Sequence, residues 1–181
     1  MGGNKRKWIW LVIGAVLCLI FPLYFTLPFP RHLMIMIFLY ASLGLAWNMI
    51  GGYAGQISLG HAIFFGAGAY TSTLMLMKLG VSPWVGMLAG GILSVGIAFI
   101  IGYPCFKLAG HYFAIATIAI GEIAQQWMLN WDWAGSAVGL TLPILPESLI
   151  NLEFHTTKAP YYYIAFGIFI LAVLATYGVD R

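Results

Sequence analysis

Trp84-Val85-Gly86-Met87-Leu88-Ala89-Gly90-Gly91-Ile92-Leu93-Ser94-Val95-Gly96-Ile97-Ala98-Phe99-Ile100-Ile101-Gly102-Tyr103 is a run of twenty residues without a charged side chain. About 20 apolar residues in an α-helix cross the hydrocarbon core of a bilayer. Lipid offers no partner to a backbone N–H or C=O, so such a run must pair its backbone internally, as a helix does. Gly86, Gly90, Ser94, Ala98 and Gly102 recur at every fourth position. They form a ridge of small side chains along one side of the helix, and such ridges let helix backbones approach closely in a membrane. The expected partner is another helix of the same chain; the bland alternative is coincidence in a glycine-rich sequence.

The pattern repeats on either side. Further apolar segments cover residues 8–25, 33–50, 57–77, 109–129 and 160–177, and only Glu122 places a formal charge inside any of them. The breaks carry Pro, Gly or charge: Pro28 and Pro30, Gly51-Gly52, Lys78 to Pro83, Pro104 to Gly110, and the long stretch 130–159. Over the whole chain 62% of residues are hydrophobic and 7% charged, against about 45–50% and about 25% in soluble domains. Too few polar residues remain to cover a water-facing surface. The fold class is therefore all-α: a multi-spanning transmembrane helix bundle of about six membrane segments, one of them broken or re-entrant. Residues 1–181 form a single transmembrane domain with 130–159 as its outer loop.

The same composition excludes several chemistries. Cys18 and Cys105 lie in apolar runs and give neither a metal spacing nor a disulfide framework. The four histidines are scattered, and no metalloprotease, phosphate-loop or nucleophile-elbow motif occurs. No metal, cofactor, catalytic site or nucleic-acid partner is expected; the net charge of +3 is small and spread thinly.

Basic residues set the orientation. Lys5-Arg6-Lys7 precede the first apolar run and place the N-terminus in the cytoplasm. Leu27-Pro28-Phe29-Pro30 follows that run where a signal peptide would show a small-residue cleavage site, so it reads as an uncleaved span. Alternation then puts Lys107 and Arg181 inside and Arg31, Lys78 and Lys158 outside. Trp8 and Trp10 fall at the inner interface. Trp84, Trp127, Trp131 and Tyr161 to Tyr163 fall at the outer one, as an aromatic belt would.

Polar residues inside apolar runs are the candidate site. His111 and Glu122 share nearly one azimuth of segment 109–129, roughly 16 Å apart along its axis, with Gln125 and Gln126 one turn further and Thr117 between. A carboxylate at mid-bilayer costs up to about 3 kcal/mol on insertion scales, so this side should turn away from lipid. It either lines a pathway or forms an interhelical hydrogen-bond cluster that holds the bundle. His61 stands behind the glycine-rich Gly51 to Gln56 turn. Six glycines between residues 51 and 68 point to a broken helix or a tight helix entry, and broken helices mark substrate sites in transporters. The alternative is an interfacial histidine. Asn48 and Gln56 flank the turn.

Two stretches go beyond composition. One is Gly44-Leu45-Ala46-Trp47-Asn48-Met49-Ile50-Gly51-Gly52-Tyr53-Ala54-Gly55-Gln56-Ile57-Ser58-Leu59-Gly60-His61-Ala62, continuing to Thr71; the other is Leu108-Ala109-Gly110-His111-Tyr112-Phe113-Ala114-Ile115-Ala116-Thr117, continuing to Ile123. Both resemble the M-type permease subunit of branched-chain amino-acid ABC importers. The resemblance implies a bacterial cytoplasmic-membrane system. Its other parts are a sister permease subunit, two cytoplasmic ATP-binding subunits, and a periplasmic or lipid-anchored substrate-binding protein. The Ala134-Gly135-Ser136-Ala137-Val138-Gly139-Leu140 stretch departs by about a residue from the family's outer-loop pattern. The chain resembles roughly the N-terminal half of a family member, without the cytoplasmic helix that docks on the ATPase. That leaves open a truncated, non-functional permease. An ion-coupled transporter or channel using Glu122 and His111 as a proton relay is the rival class.

Overall fold

The computed structural model describes residues 14–25, 27–108 and 110–179. The Lys5-Arg6-Lys7 cluster, Trp8, Trp10, the first part of segment 8–25, Ala109 and Arg181 lie outside the described residues. The architecture is all-helical, with elements α1 (Gly14–Tyr24), α2 (Pro28–Asn48), α3 (Ala62–Leu79), α4 (Pro83–Cys105), α5 (His111–Leu129) and α6 (Ala159–Val179). The helices containing α2, α3, α4 and α6 are long and apolar enough to cross a membrane. Helix α5 has 19 residues, but its own histidine, glutamate and glutamines dilute its hydropathy.

Three helix boundaries differ from the sequence expectation. Pro28 and Pro30 open α2 instead of separating segments, because the first turn of a helix needs no N–H donor. Pro104 sits in the last turn of α4, where it forgoes its own bond to the Ile100 carbonyl and the helix ends one residue later. Segment 57–77 becomes helical only at Ala62, for reasons that belong to the site below.

The chain divides into two compact units, residues 1–46 with 154–181 and residues 47–153. In the first, Phe38, Tyr162 and Phe166 are buried, with Cys18, Phe21, Met34 and Phe169 packed around them. Tyr162 is fully buried, and its hydroxyl donates to the Cys18 carbonyl at 2.7 Å. This ring is thus core and not part of an interfacial belt; its one polar atom is satisfied by the backbone of α1. Arg31 donates to the Phe25 and Pro22 carbonyls at 2.8 and 2.7 Å and to Thr157 Oγ1 at 2.9 Å. A basic residue suits the end of α1, where carbonyls lack helical partners.

In the second unit α3 and α4 are joined by a short turn, with Gly80 left-handed at φ 63° and Pro83 opening α4. Within the segment between α5 and α6, residues 148–153 form a turn closed by an antiparallel bridge between Ser148 and Glu153, and Glu153 Oε2 accepts from the Leu145 amide at 2.8 Å. Trp127 and Trp131 stack at 5.2 Å, while Trp84 Nε1 donates to the Leu149 carbonyl at 2.7 Å.

Candidate functional site at a helix break

The small-residue ridge of α4 packs on α3 in a fixed antiparallel register. A Cβ on Gly86 would meet Ser72 Cα at 2.9 Å, and one on Gly90 would meet the Gly68 carbonyl oxygen at 2.7 Å. One step further, Ser94 Oγ donates to the Phe64 carbonyl at 2.9 Å. Each advance of four residues along α4 is matched by a retreat of four along α3. The next pair would be Ala98 with Gly60, but α3 begins only at Ala62. The ridge therefore continues past the end of its partner.

The chain that would have extended α3 goes elsewhere. Helix α2 ends in a π-helical turn, Met49–Tyr53, a feature often found at functional positions. Gly55 then takes φ 66°, a left-handed conformation that a side chain disfavours. Residues 54–60 are non-helical and lie against α5. The Leu59 amide donates to Thr117 Oγ1 at 3.1 Å, and Thr117 Oγ1 donates in turn to the Ala114 carbonyl at 2.8 Å. Gly60 touches the α5 backbone so closely that a Cβ would stand 2.6 Å from the Thr117 carbonyl oxygen. Trp47 Nε1 donates to the Ser58 carbonyl at 2.7 Å, and Ser58 Oγ lies 3.3 Å from His61 Nδ1. These tertiary bonds replace the helical ones that residues 57–61 give up.

A cavity of about 200 Å³ opens where the missing helical turns would be. Its walls are apolar on most sides: Ile50, Ile63, Phe64, Ile101, Phe113 and Ile120. Ala98 and Gly102 come from the unpartnered end of the ridge, and the buried Cys105 from the last turn of α4. Ser58, His61 and Thr117 supply its polar wall.

The structure sorts the sequence candidates into two groups. His61 and Thr117 line the cavity. Gln56 lies five residues before His61 in the chain, half-buried, with its Oε1 buried and without a hydrogen-bond partner among the described residues. Asn48 is exposed, and its Oδ1 occupies the space where a Cβ on Gly52 would be, at 2.5 Å. His111, Glu122, Gln125 and Gln126 share a different side of α5, together with Ile115, Ile118 and Leu129, and all of these are exposed. At about 100° per residue this side is opposite Phe113 and Thr117. The expected burial of Glu122 is not met by the described residues: α5 turns its apolar and threonine-bearing side inward and its carboxylate outward. Sequence reasoning missed Trp47, Ser58, Gly60 and the cavity wall. The only advance signal was Ser58 standing three residues before His61.

Apolar helices of spanning length, with a non-helical segment held among them, define a multi-pass membrane protein. Residues 30–179 match the model of the permease component of branched-chain amino acid transport systems, and the chain belongs to that family. It is 33% identical over 120 residues to the high-affinity branched-chain amino acid transport system permease protein LivM of Escherichia coli strain K12, and 34% identical over 120 residues to LivM of Salmonella typhimurium strain LT2. Each match covers 66% of this chain and 28% of the relative. No solved structure matches the chain.

Proposed function

We propose that this chain is a membrane-spanning permease subunit of an ATP-driven importer for branched-chain amino acids, acting in the bacterial cytoplasmic membrane with its N-terminus inside. It contributes part of the translocation pathway. A sister permease completes that pathway, two cytoplasmic ATP-binding subunits supply the energy, and a periplasmic or lipid-anchored binding protein delivers the substrate. The observation that carries this reading, beyond family membership, is the break before α3. Non-helical backbone at membrane depth is tolerated where it is buried in protein or lines a cavity, and discontinuous helices mark the binding region of many transporters. Thr117, His61 and Gln56 belong to that region.

The ion-coupled alternative draws no support from the geometry. His111 and Glu122 are roughly 16 Å apart along α5, and the residues between them on that side are Ile115 and Ile118, which carry no proton. Reconstitution of the assembled transporter in vesicles tests the proposal. Leucine uptake should require ATP on the cytoplasmic side. Uptake driven by a proton gradient in the absence of ATP would sink it.

A further inference from the structure

We infer that the cavity at the helix break is the pocket for the aliphatic side chain of the transported amino acid, with the ammonium and carboxylate groups held outside it. The inference rests on the importer reading and adds where, and by which part, the substrate is recognised.

The lining decides what can enter. Several polar atoms on the loop side are already engaged. Thr117 Oγ1 donates to Ala114 and accepts from Leu59, the Ser58 carbonyl accepts from Trp47, and Ser58 Oγ lies against His61. A charged group placed among Ile50, Ile63, Phe64, Ile101 and Ile120 would lose its hydration and find little in return. An alkyl group finds the reverse, because removing it from water is favourable by about 0.8 kcal/mol per CH₂.

Size agrees. An apolar cavity of about 150 Å³ stays dry and accepts benzene, a six-carbon guest. The cavity here, about 200 Å³, takes a branched four-carbon side chain with room to spare. The space also has a structural origin: Ala98 and Gly102 keep the ridge small past the point where α3 stops facing it, although at Gly102 the Phe106 ring, 3.2 Å from where a Cβ would stand, also favours a small residue. A lipid tail is the competing occupant, because Ala98, Gly102 and Phe106 also border a shallow groove with Val95, Phe99 and Tyr103 on α4.

Two measurements decide. In the assembled transporter, Ala98→Leu fills the pocket from the α4 wall. Each buried methylene lost by the substrate is worth about fourfold, so leucine uptake efficiency should fall on the order of tenfold relative to alanine. A fold defect would lower both amino acids together, and the ratio removes it. An unchanged ratio overturns the pocket while leaving the importer reading intact; failure of the unmutated transporter to move leucine with ATP overturns the importer reading itself. The second measurement uses Cys105, buried in the pocket wall, in the full transporter carrying Cys18→Ala. Saturating leucine should slow its modification by a small uncharged thiol reagent several-fold, and glycine should not. Slow modification that leucine leaves unchanged is the signature of a lipid tail or of closed packing, and overturns the inference.

Discussion

Gly90→Ala offers the most direct test of the α3–α4 register. The added Cβ would stand 2.7 Å from the Gly68 carbonyl oxygen and 3.0 Å from Gly68 Cα, whereas ordinary contact begins at 3.4 Å. Both obstacles are backbone, so no side chain can rotate away. The helices must separate by about 0.7 Å, and a gap of about 0.5–1 Å forfeits a quarter to a half of each contact's attraction. Overpacking of this kind costs about 1–3 kcal/mol. The upper part of that range is expected here, because packing rather than water exclusion holds helices together in lipid. Gly91→Ala is the control: nothing lies within 4 Å of its Cβ, and alanine is better than glycine in a helix by about 1 kcal/mol. Thermal unfolding in detergent, followed by the reactivity of the buried Cys105 in a Cys18→Ala background, reads both. Gly90→Ala should lower the midpoint by several degrees while Gly91→Ala holds or raises it. Equal shifts for the two variants would refute the register.

Gly60→Ala drives a Cβ into the Thr117 carbonyl and should lift residues 57–60 from α5, destabilising the unit by about 1–3 kcal/mol and exposing Cys105 to thiol reagents; unchanged reactivity would contradict the contact. Tyr162→Phe removes the hydrogen bond to the Cys18 carbonyl, a part-buried oxygen. A loss of about 1 kcal/mol should appear in circular-dichroism melts, and an unshifted midpoint would count against the core position of Tyr162. Glu122→Leu should stabilise the chain reconstituted alone in a bilayer, by up to about 3 kcal/mol on insertion scales. A destabilised variant would mean that Glu122 is already covered in that state.

The period-four ridge was legible because spacing alone defines a helix side. Its register was not, because Phe64, Gly68 and Ser72 acquire meaning only as the positions opposite Ser94, Gly90 and Gly86. The glycine-rich turn announced a break near Gly51 to Gln56, but the start of α3 was placed too early. Ile57 and Leu59 look like helix interior, and the hydrogen bonds to Thr117 and from Trp47, 58 and 11 residues away, help to hold this stretch out of the helix. Tyr162 read as one of three interfacial tyrosines; its burial depends on Phe38 and Cys18, more than a hundred residues away. That His111, Glu122, Gln125 and Gln126 share one side of α5 follows from helical spacing alone, whereas the exposure of that side follows from what packs against the other, which the sequence of one helix does not contain.

That last point bears on how the subunit works within a larger assembly. Helix α5 presents two unlike sides. One, with Phe113, Thr117 and Ile120, closes the cavity at the helix break. The other carries Glu122, Gln125 and Gln126 outward, which a lipid surface penalises and which water or protein accepts. A helix stable in the bilayer only with both sides covered is placed to sense two neighbours at once. The loop that shapes the cavity is bonded to Thr117, in the first half of α5, and Glu122 is little more than one turn away on the same rigid element. A shift of α5 that moved Glu122 relative to its neighbour would also move the Thr117 hydroxyl and carbonyl on which Leu59 and Gly60 rest. The cavity loop and the outward carboxylate are thus anchored to one rigid helix, with Leu59 and Gly60 resting on Thr117 and Glu122 five residues further along.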